Sequence, residues 1–126
     1  MSYHNLMLID DDEDDQDIFL AALSEISSTV KCSTFSAARI ALNKLISKES
    51  HPQVIFLDLN MPIMNGQQFL VEIKKIEGLK EIPIIIFSTS SHPGTIQLTK
   101  ELGASDFITK PTSFDDLINV LRPIIN

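Results

Sequence analysis

The sequence predicts an α/β fold: an open, doubly wound, parallel sheet of five strands with five helices on its two faces. Three observations predict it. Short apolar runs alternate with segments of helical periodicity, giving a β-then-α unit five times in succession. The third and fourth runs are almost wholly apolar, as strands covered on both faces must be. The chain has 126 residues, 44% hydrophobic and 21% charged, which suits one domain, 1–126, with a full core. Right-handed crossovers then restrict the connectivity to doubly wound types.

The first strand is expected at NLMLI (5–9), followed by a helix whose apolar face is Phe19, Leu23 and Ile26. The second is VKCSTF (30–35), with Ala38, Ala41, Leu42 and Leu45 as the helical face behind it. The third, VIFLDL (54–59), precedes a helix presenting Phe69, Ile73 and Ile76. The fourth, IPIIIFS (82–88), leads to the least specified helix, between Thr95 and Leu102, with only Leu98 and Leu102 at helical spacing and Pro93 and Gly94 before it. A short, weakly packed helix of this kind opens locally at low cost. The fifth strand is DFIT (106–109), and the last helix shows Phe114, Leu117, Ile118 and Leu121 behind a start resembling a capping box, Ser113 with Asp116. Pro123 is expected to end that helix early.

The formal charge is −7, and residues 10–17 alone carry seven acids, so the remainder of the chain is neutral. The acidity therefore belongs to one place. No basic run supports nucleic-acid binding by charge. Cys32 is the only cysteine, which rules out an intrachain disulfide and suits a reducing compartment. The start, MSYHNLML, lacks a signal peptide's basic region and long apolar core, and no apolar run approaches membrane-spanning length, so a cytoplasmic location is expected.

In doubly wound sheets, ligands bind outside the carboxyl ends of the strands. Those positions carry Asp10, Asp11 and Asp12 after strand one, Asp58 at the end of strand three, Ser88 and Thr89 at the end of strand four, and Lys110 after strand five. Each alone has an ordinary explanation as a turn, cap or solvated residue. Glu13, Asp14, Asp15 and Asp17 are best read as acids complementing a helix N-terminus. Asp10 and Asp11, at the strand end itself, are not so readily explained. Two carboxylates about 4 Å apart repel by roughly 4 kcal/mol at an effective dielectric of about 20, so something must relieve the cluster. A hard cation does so: Mg2+ takes one or two carboxylates, several waters and a phosphate oxygen. An EF-hand is excluded, because Asp15 and Ala21 stand where that loop needs Gly and Glu. A carboxylate beside such a cation and an ammonium can act as a nucleophile towards phosphorus.

The segments LIDDDEDD, FLDLNMPIMNG (56–66), IPIIIFSTSS (82–91) and GASDFITKP (103–111), in this order and spacing, resemble the receiver domain of two-component response regulators over essentially the whole chain. DLNMPIMNG with the late KP is the most specific pair. The resemblance implies a flavodoxin-like fold with strand order 2-1-3-4-5. It implies that Asp58 accepts a phosphoryl group from a phosphohistidine on a sensor kinase or histidine phosphotransfer protein. It assigns Asp11 to Mg2+ directly, Asp10 mainly through water, Asp58 and the backbone carbonyl of Asn60 as further ligands, and Lys110 to a phosphoryl oxygen. Ser88 and Phe107 would form the switch, with Thr89 beside it, and the bond before Pro111 would be cis. The surface of helix four, strand five and helix five would carry the output to another protein. A single-domain regulator or phosphorelay intermediate is expected in preference to a regulator with a DNA-binding output beyond residue 126, monomeric or weakly dimeric, and without enzymatic action beyond its own phosphorylation and dephosphorylation. The DLNMP and STSS forms are similar to those of stand-alone regulators serving phytochrome-type and other bacterial histidine kinases.

Three other functions compete for the same residues. A non-phosphorylated protein-binding module on this fold need not keep Asp11, Asp58 and Lys110 together. An aspartyl phosphatase of the haloacid dehalogenase type, with Asp10 as nucleophile, needs Thr at position 14, where Asp14 stands. A flavin site is disfavoured because no Ser/Thr/Gly-rich phosphate loop follows the first strand.

Overall fold

A computed structural model describes residues 3–125; Met1, Ser2 and Asn126, the ends of the expected domain, lie outside the described residues. The elements are β1 (Asn5–Ile9), α1 (Glu13–Ile26), β2 (Lys31–Phe35), α2 (Ala38–Ile46), β3 (Val54–Leu57), α3 (Gly66–Lys74), β4 (Ile84–Ser88), α4 (Pro93–Glu101), β5 (Asp106–Thr109) and α5 (Phe114–Ile125). All five strands are parallel in the order β2-β1-β3-β4-β5, the flavodoxin-like arrangement. The predicted fold class and strand order are both observed.

The period of two along each strand divides the core into two layers. Met7, Ile9, Ile55, Leu57, Ile84 and Ile86 face Leu42 and Leu45 of α2 and Phe69, Leu70 and Ile73 of α3. Leu6, Leu8, Val54, Phe56, Ile85 and Phe87 face Phe19 and Leu23 of α1 and Leu117 and Leu121 of α5. In the second layer Phe19, Phe56 and Phe87 meet edge to face, with ring centroids 5.1 to 6.3 Å apart. β1, β3 and β4 are buried on both sides, which is why their sequences read as continuous apolar runs.

Several bounds differ from expectation: β2 opens at Lys31, β4 opens two residues later than expected, at Ile84, and α3 ends at Lys74, before Ile76. β3 closes at Leu57, so Asp58 and Leu59 belong to the loop beyond it. α4 begins earlier, at Pro93 in the first turn, with His92 Nδ1 accepting the Gly94 N–H at 3.1 Å as its cap. Its buried residue is Thr99, whose hydroxyl donates to the Ile96 carbonyl at 3.0 Å, whereas Leu98 is exposed. α5 does not stop at Pro123 but continues to Ile125. Leu121 and Ile125, one turn apart and both buried, hold the last turn against the sheet, and that burial outweighs the donor that Pro123 lacks.

Candidate functional site

Strand pairing brings the acidic groups together. Asp10 follows β1 and is tied by its N–H to Phe35 O at 3.0 Å; Asp58 follows β3 and is tied by its N–H to Ile9 O at 2.9 Å. Adjacent β1 and β3 thus place both side chains at the same end of the sheet. Asp10 is fully buried and Asp58 nearly so. The Asp10 carboxylate accepts the Asp12 N–H at 3.0 Å, and the Asp10 carbonyl accepts a 2.6 Å bond from the buried Gln16 amide, which also donates to Ser36 Oγ. Asp12 caps α1 by accepting from the N–H groups of Asp14 and Asp15 at 2.9 and 3.2 Å.

On the other side of Asp58, α3 starts against the backbone of the loop. A Cβ on Gly66 would lie 2.5 Å from Asp58 O and 2.8 Å from Leu59 Cα, so only glycine allows α3 to come so close. The helix start is fixed by a capping box in which Asn65 and Gln68 each accept the other's N–H at 2.9 Å. The backbone N–H groups of Leu59 and Asn60 lie near the Asp58 carboxylate and favour its charged form.

Lys110 arrives from β5, its N–H bonded to Ser88 O at 2.8 Å. Its ammonium is 2.8 Å from Asp10 Oδ2, 2.8 Å from Asp15 Oδ2 and 3.8 Å from Asp58 Oδ2, and 5.7 Å from the Phe87 ring centroid. The Lys110–Pro111 bond is trans, since the chain among its described residues contains no cis peptide; the expected cis bond is corrected. Trans is the intrinsically favoured state of an X-Pro bond, and Lys110 reaches the carboxylates with it. Ser88 is buried, its Oγ accepting the Ser90 N–H at 3.4 Å, while Thr89 is exposed. Phe107 is half-buried against the α2/α3 layer.

Electrostatics sharpen the contrast between Asp58 and Lys110. Burial is the main force pushing the Asp58 carboxyl up, to about 6; the Lys110 charge opposes it, Asp10 adds to it, and the Asn60 and Leu59 N–H groups oppose it. For Lys110, burial works against the ammonium, but hydrogen bonds to Asp10 and Asp15 and the charges of Asp10 and Asp58 outweigh it and hold its pKa above the usual lysine range.

Carboxylate oxygens of Asp10, Asp11 and Asp58 all lie within 4.8 Å of one another, Asp11 exposed and the others buried. Oxygens on opposite sides of an octahedral Mg2+ lie roughly 4.2 Å apart, given metal–oxygen distances of about 2.1 Å. The spacing and the all-oxygen donor set fit a small hard divalent cation, and the exposed side at Asp11 leaves room for water or phosphate.

Of the residues predicted from sequence, Asp10, Asp11, Asp58 and Lys110 meet at one point. Asp12 is a cap rather than part of the cluster. Two residues of the site do not stand out in the sequence. Asp15, assigned only to the helix N-terminus, binds Lys110. Gln16 is a buried polar residue that supports the Asp10 backbone; an amide on the inner side of an amphipathic helix, three before Phe19, was the available signal.

This assembly of carboxylates and one lysine at the carboxyl edge of a 2-1-3-4-5 sheet is that of a response regulator receiver domain. A family model of that description matches residues 6–122, and the chain belongs to the family. Among its relatives is a protein-glutamate methylesterase/protein-glutamine glutaminase of Treponema pallidum, 49% identical over 93 residues, which are 70% of this chain and 22% of that protein. The chain spans about a fifth of the length of the methylesterases it matches. The phosphorylated cyanobacterial phytochrome response regulator RcpA is similar with a TM-score of 0.87 and 27% identity, covering 97% of this chain and 91% of that one. The Mn2+-bound response regulator Rcp1 follows at 0.80 and 26%, covering 95% and 90%. Among the described residues, no helix is long and apolar enough to cross a membrane.

Proposed function

We propose that this receiver domain, taken as the whole of residues 1–126, is a phosphoacceptor that takes a phosphoryl group onto Asp58 from a phosphohistidine of a sensor kinase or histidine phosphotransfer protein. The observation that carries the reading is the convergence of Asp10, Asp11, Asp58 and Lys110 at one end of the sheet. An Asp58 carboxylate oxygen attacks phosphorus, the P–N bond to the donor imidazole breaks as the P–O bond forms, and the imidazole nitrogen takes up a proton from solvent. The transition state is loose, so catalysis consists of positioning and charge stabilisation. Mg2+ would be held by Asp11, Asp58 and the Asn60 carbonyl directly and by Asp10 mainly through water, and it would offset the carboxylate repulsion and stabilise charge on the phosphoryl oxygens. Lys110, 3.8 Å from Asp58 Oδ2, supplies a second positive charge. Ser88, buried at the end of β4, offers its hydroxyl to the phosphoryl group, and the surface of α4, β5 and α5, with Phe107, passes the change to a protein partner in the cytoplasm.

The methylesterase relatives do not bring their activity to this reading, since the part that matches is the receiver domain. Incubation with acetyl phosphate and Mg2+ followed by mass spectrometry tests it. A single phosphoryl adduct on Asp58, labile to base and to hydroxylamine, is expected, absent in Asp58→Ala and after chelation. An adduct elsewhere, or none, defeats the proposal.

A further inference from the structure

We propose that Asp15 is a positioning residue that restrains Lys110 and so limits how fast Asp58 is phosphorylated; this rests on the phosphoacceptor reading above. The Lys110 ammonium has three protons to donate. Two are taken by Asp10 Oδ2 and Asp15 Oδ2, each at 2.8 Å, while Asp58 Oδ2 at 3.8 Å is an ion-pair partner too distant for a hydrogen bond. A phosphoryl group on Asp58 can take the third proton, and any closer approach of the ammonium towards it is made against the pull of these two carboxylates.

The two carboxylates are not equivalent. Asp10 belongs to the cluster whose oxygens could share one cation, so a bound cation neutralises part of its hold on the ammonium. Asp15 does not belong to that cluster, and its attraction for Lys110 persists when the cation binds. Its position is also set firmly. The Asp15 N–H is held by the Asp12 cap in the first turn of α1, and Asp15 and Lys110 together line a cavity of about 200 Å³ towards Phe87 and Phe114. Asp58 is not among the residues lining that cavity. Asp15 thus anchors the ammonium between α1 and the β5–α5 loop, and it pulls on a charge that the transition state also uses.

The test compares Asp15→Asn, Asp15→Glu and Asp14→Asn with the unaltered chain. Asp14 is an exposed acid of the same turn that makes no ion pair with Lys110, so it reports the general effect of removing a negative charge near an anionic donor. Asp15→Asn is expected to raise the second-order rate constant for phosphorylation by acetyl phosphate roughly three- to tenfold, the loss of one charge-assisted hydrogen bond. Asp14→Asn should change it less than about twofold, and Asp15→Glu should fall back towards the unaltered rate. A second readout needs neither phosphoryl donor nor metal: in lysine-¹⁵N-labelled protein, the Lys110 ammonium protons should exchange slowly in the unaltered and Asp14→Asn chains and rapidly in Asp15→Asn. Equal or slower phosphorylation of Asp15→Asn, or the same gain in Asp14→Asn, overturns the inference while leaving the phosphoacceptor reading intact. No adduct in any of the four proteins overturns both.

Discussion

Asp58 carries a charge that its surroundings resist, and this has a measurable cost in the metal-free protein. Its carboxyl is pushed from an ordinary 3.8 to about 6, chiefly by burial. Between those values the folded chain binds more protons than the unfolded one, so stability falls as pH rises through the window from about 4 to 6. At roughly 1.4 kcal/mol per pH unit the whole window corresponds to about 3 kcal/mol. Asp58→Asn is therefore expected to stabilise the chelator-treated protein at pH 7 by about 1 to 3 kcal/mol, and by much less at pH 4, as measured by urea unfolding. A variant less stable than the parent at pH 7 would mean that the Lys110 pairing, not burial, dominates. The single residues of the site were legible in sequence where residue type and position at a strand end coincided, as for Asp10, Asp11, Asp58 and Lys110. Asp15 was not, because a helix dipole explains an acid in a first turn sufficiently and only the tertiary approach of Lys110 gives it a second role.

At the scale of elements, period and length sufficed wherever the apolar face was continuous. The alternating faces of β1, β3 and β4 and the buried stripes of α1, α2 and α3 follow the sequence pattern almost residue for residue. The two helices that deviated did so because packing overrode local preference: α5 passes Pro123 to bury Ile125, and α4 turns Thr99 inward instead of Leu98. α4 consequently buries one residue, whereas α3, of the same length, buries Gly66, Phe69, Leu70 and Ile73. Little apolar burial opposes the opening of α4. Native-state hydrogen exchange should show the amides of its second half exchanging at least about tenfold faster than those in the second half of α3, a factor that corresponds to about 1.4 kcal/mol of opening free energy. Equal protection would assign α4 to the same cooperative unit as the core and remove local opening as a route for the output proposed for the α4–β5–α5 surface.

For the whole molecule, the distribution of charge links stability to ligand. Seven of the acids lie in residues 10–17 and account for the entire net charge of −7, so electrostatic strain on the folded state is concentrated at the end of the sheet that carries the site. Unfolding disperses Asp10, Asp11 and Asp58, which are 48 positions or fewer apart in sequence but within one ion's reach only when β1 and β3 pair. A cation gathered by this set binds the folded chain and hardly at all the unfolded one. Its stabilisation then follows mass action, about 1.4 kcal/mol at ten times the dissociation constant. For a domain of this size that is a rise in melting temperature of about 4 to 7 °C. Calorimetry with Mg2+ or Mn2+ should show the rise, its reversal by chelator and its loss in Asp11→Asn, with the rise retained in Asp14→Asn. Monovalent salt at equal ionic strength screens the same acids without being coordinated, and it should give a smaller shift that Asp11→Asn and Asp14→Asn diminish alike. If both divalent and monovalent salts stabilised the variants to the same extent, the acidic end of the sheet would be responding to screening alone, and the three-carboxylate cluster would not be a cation site.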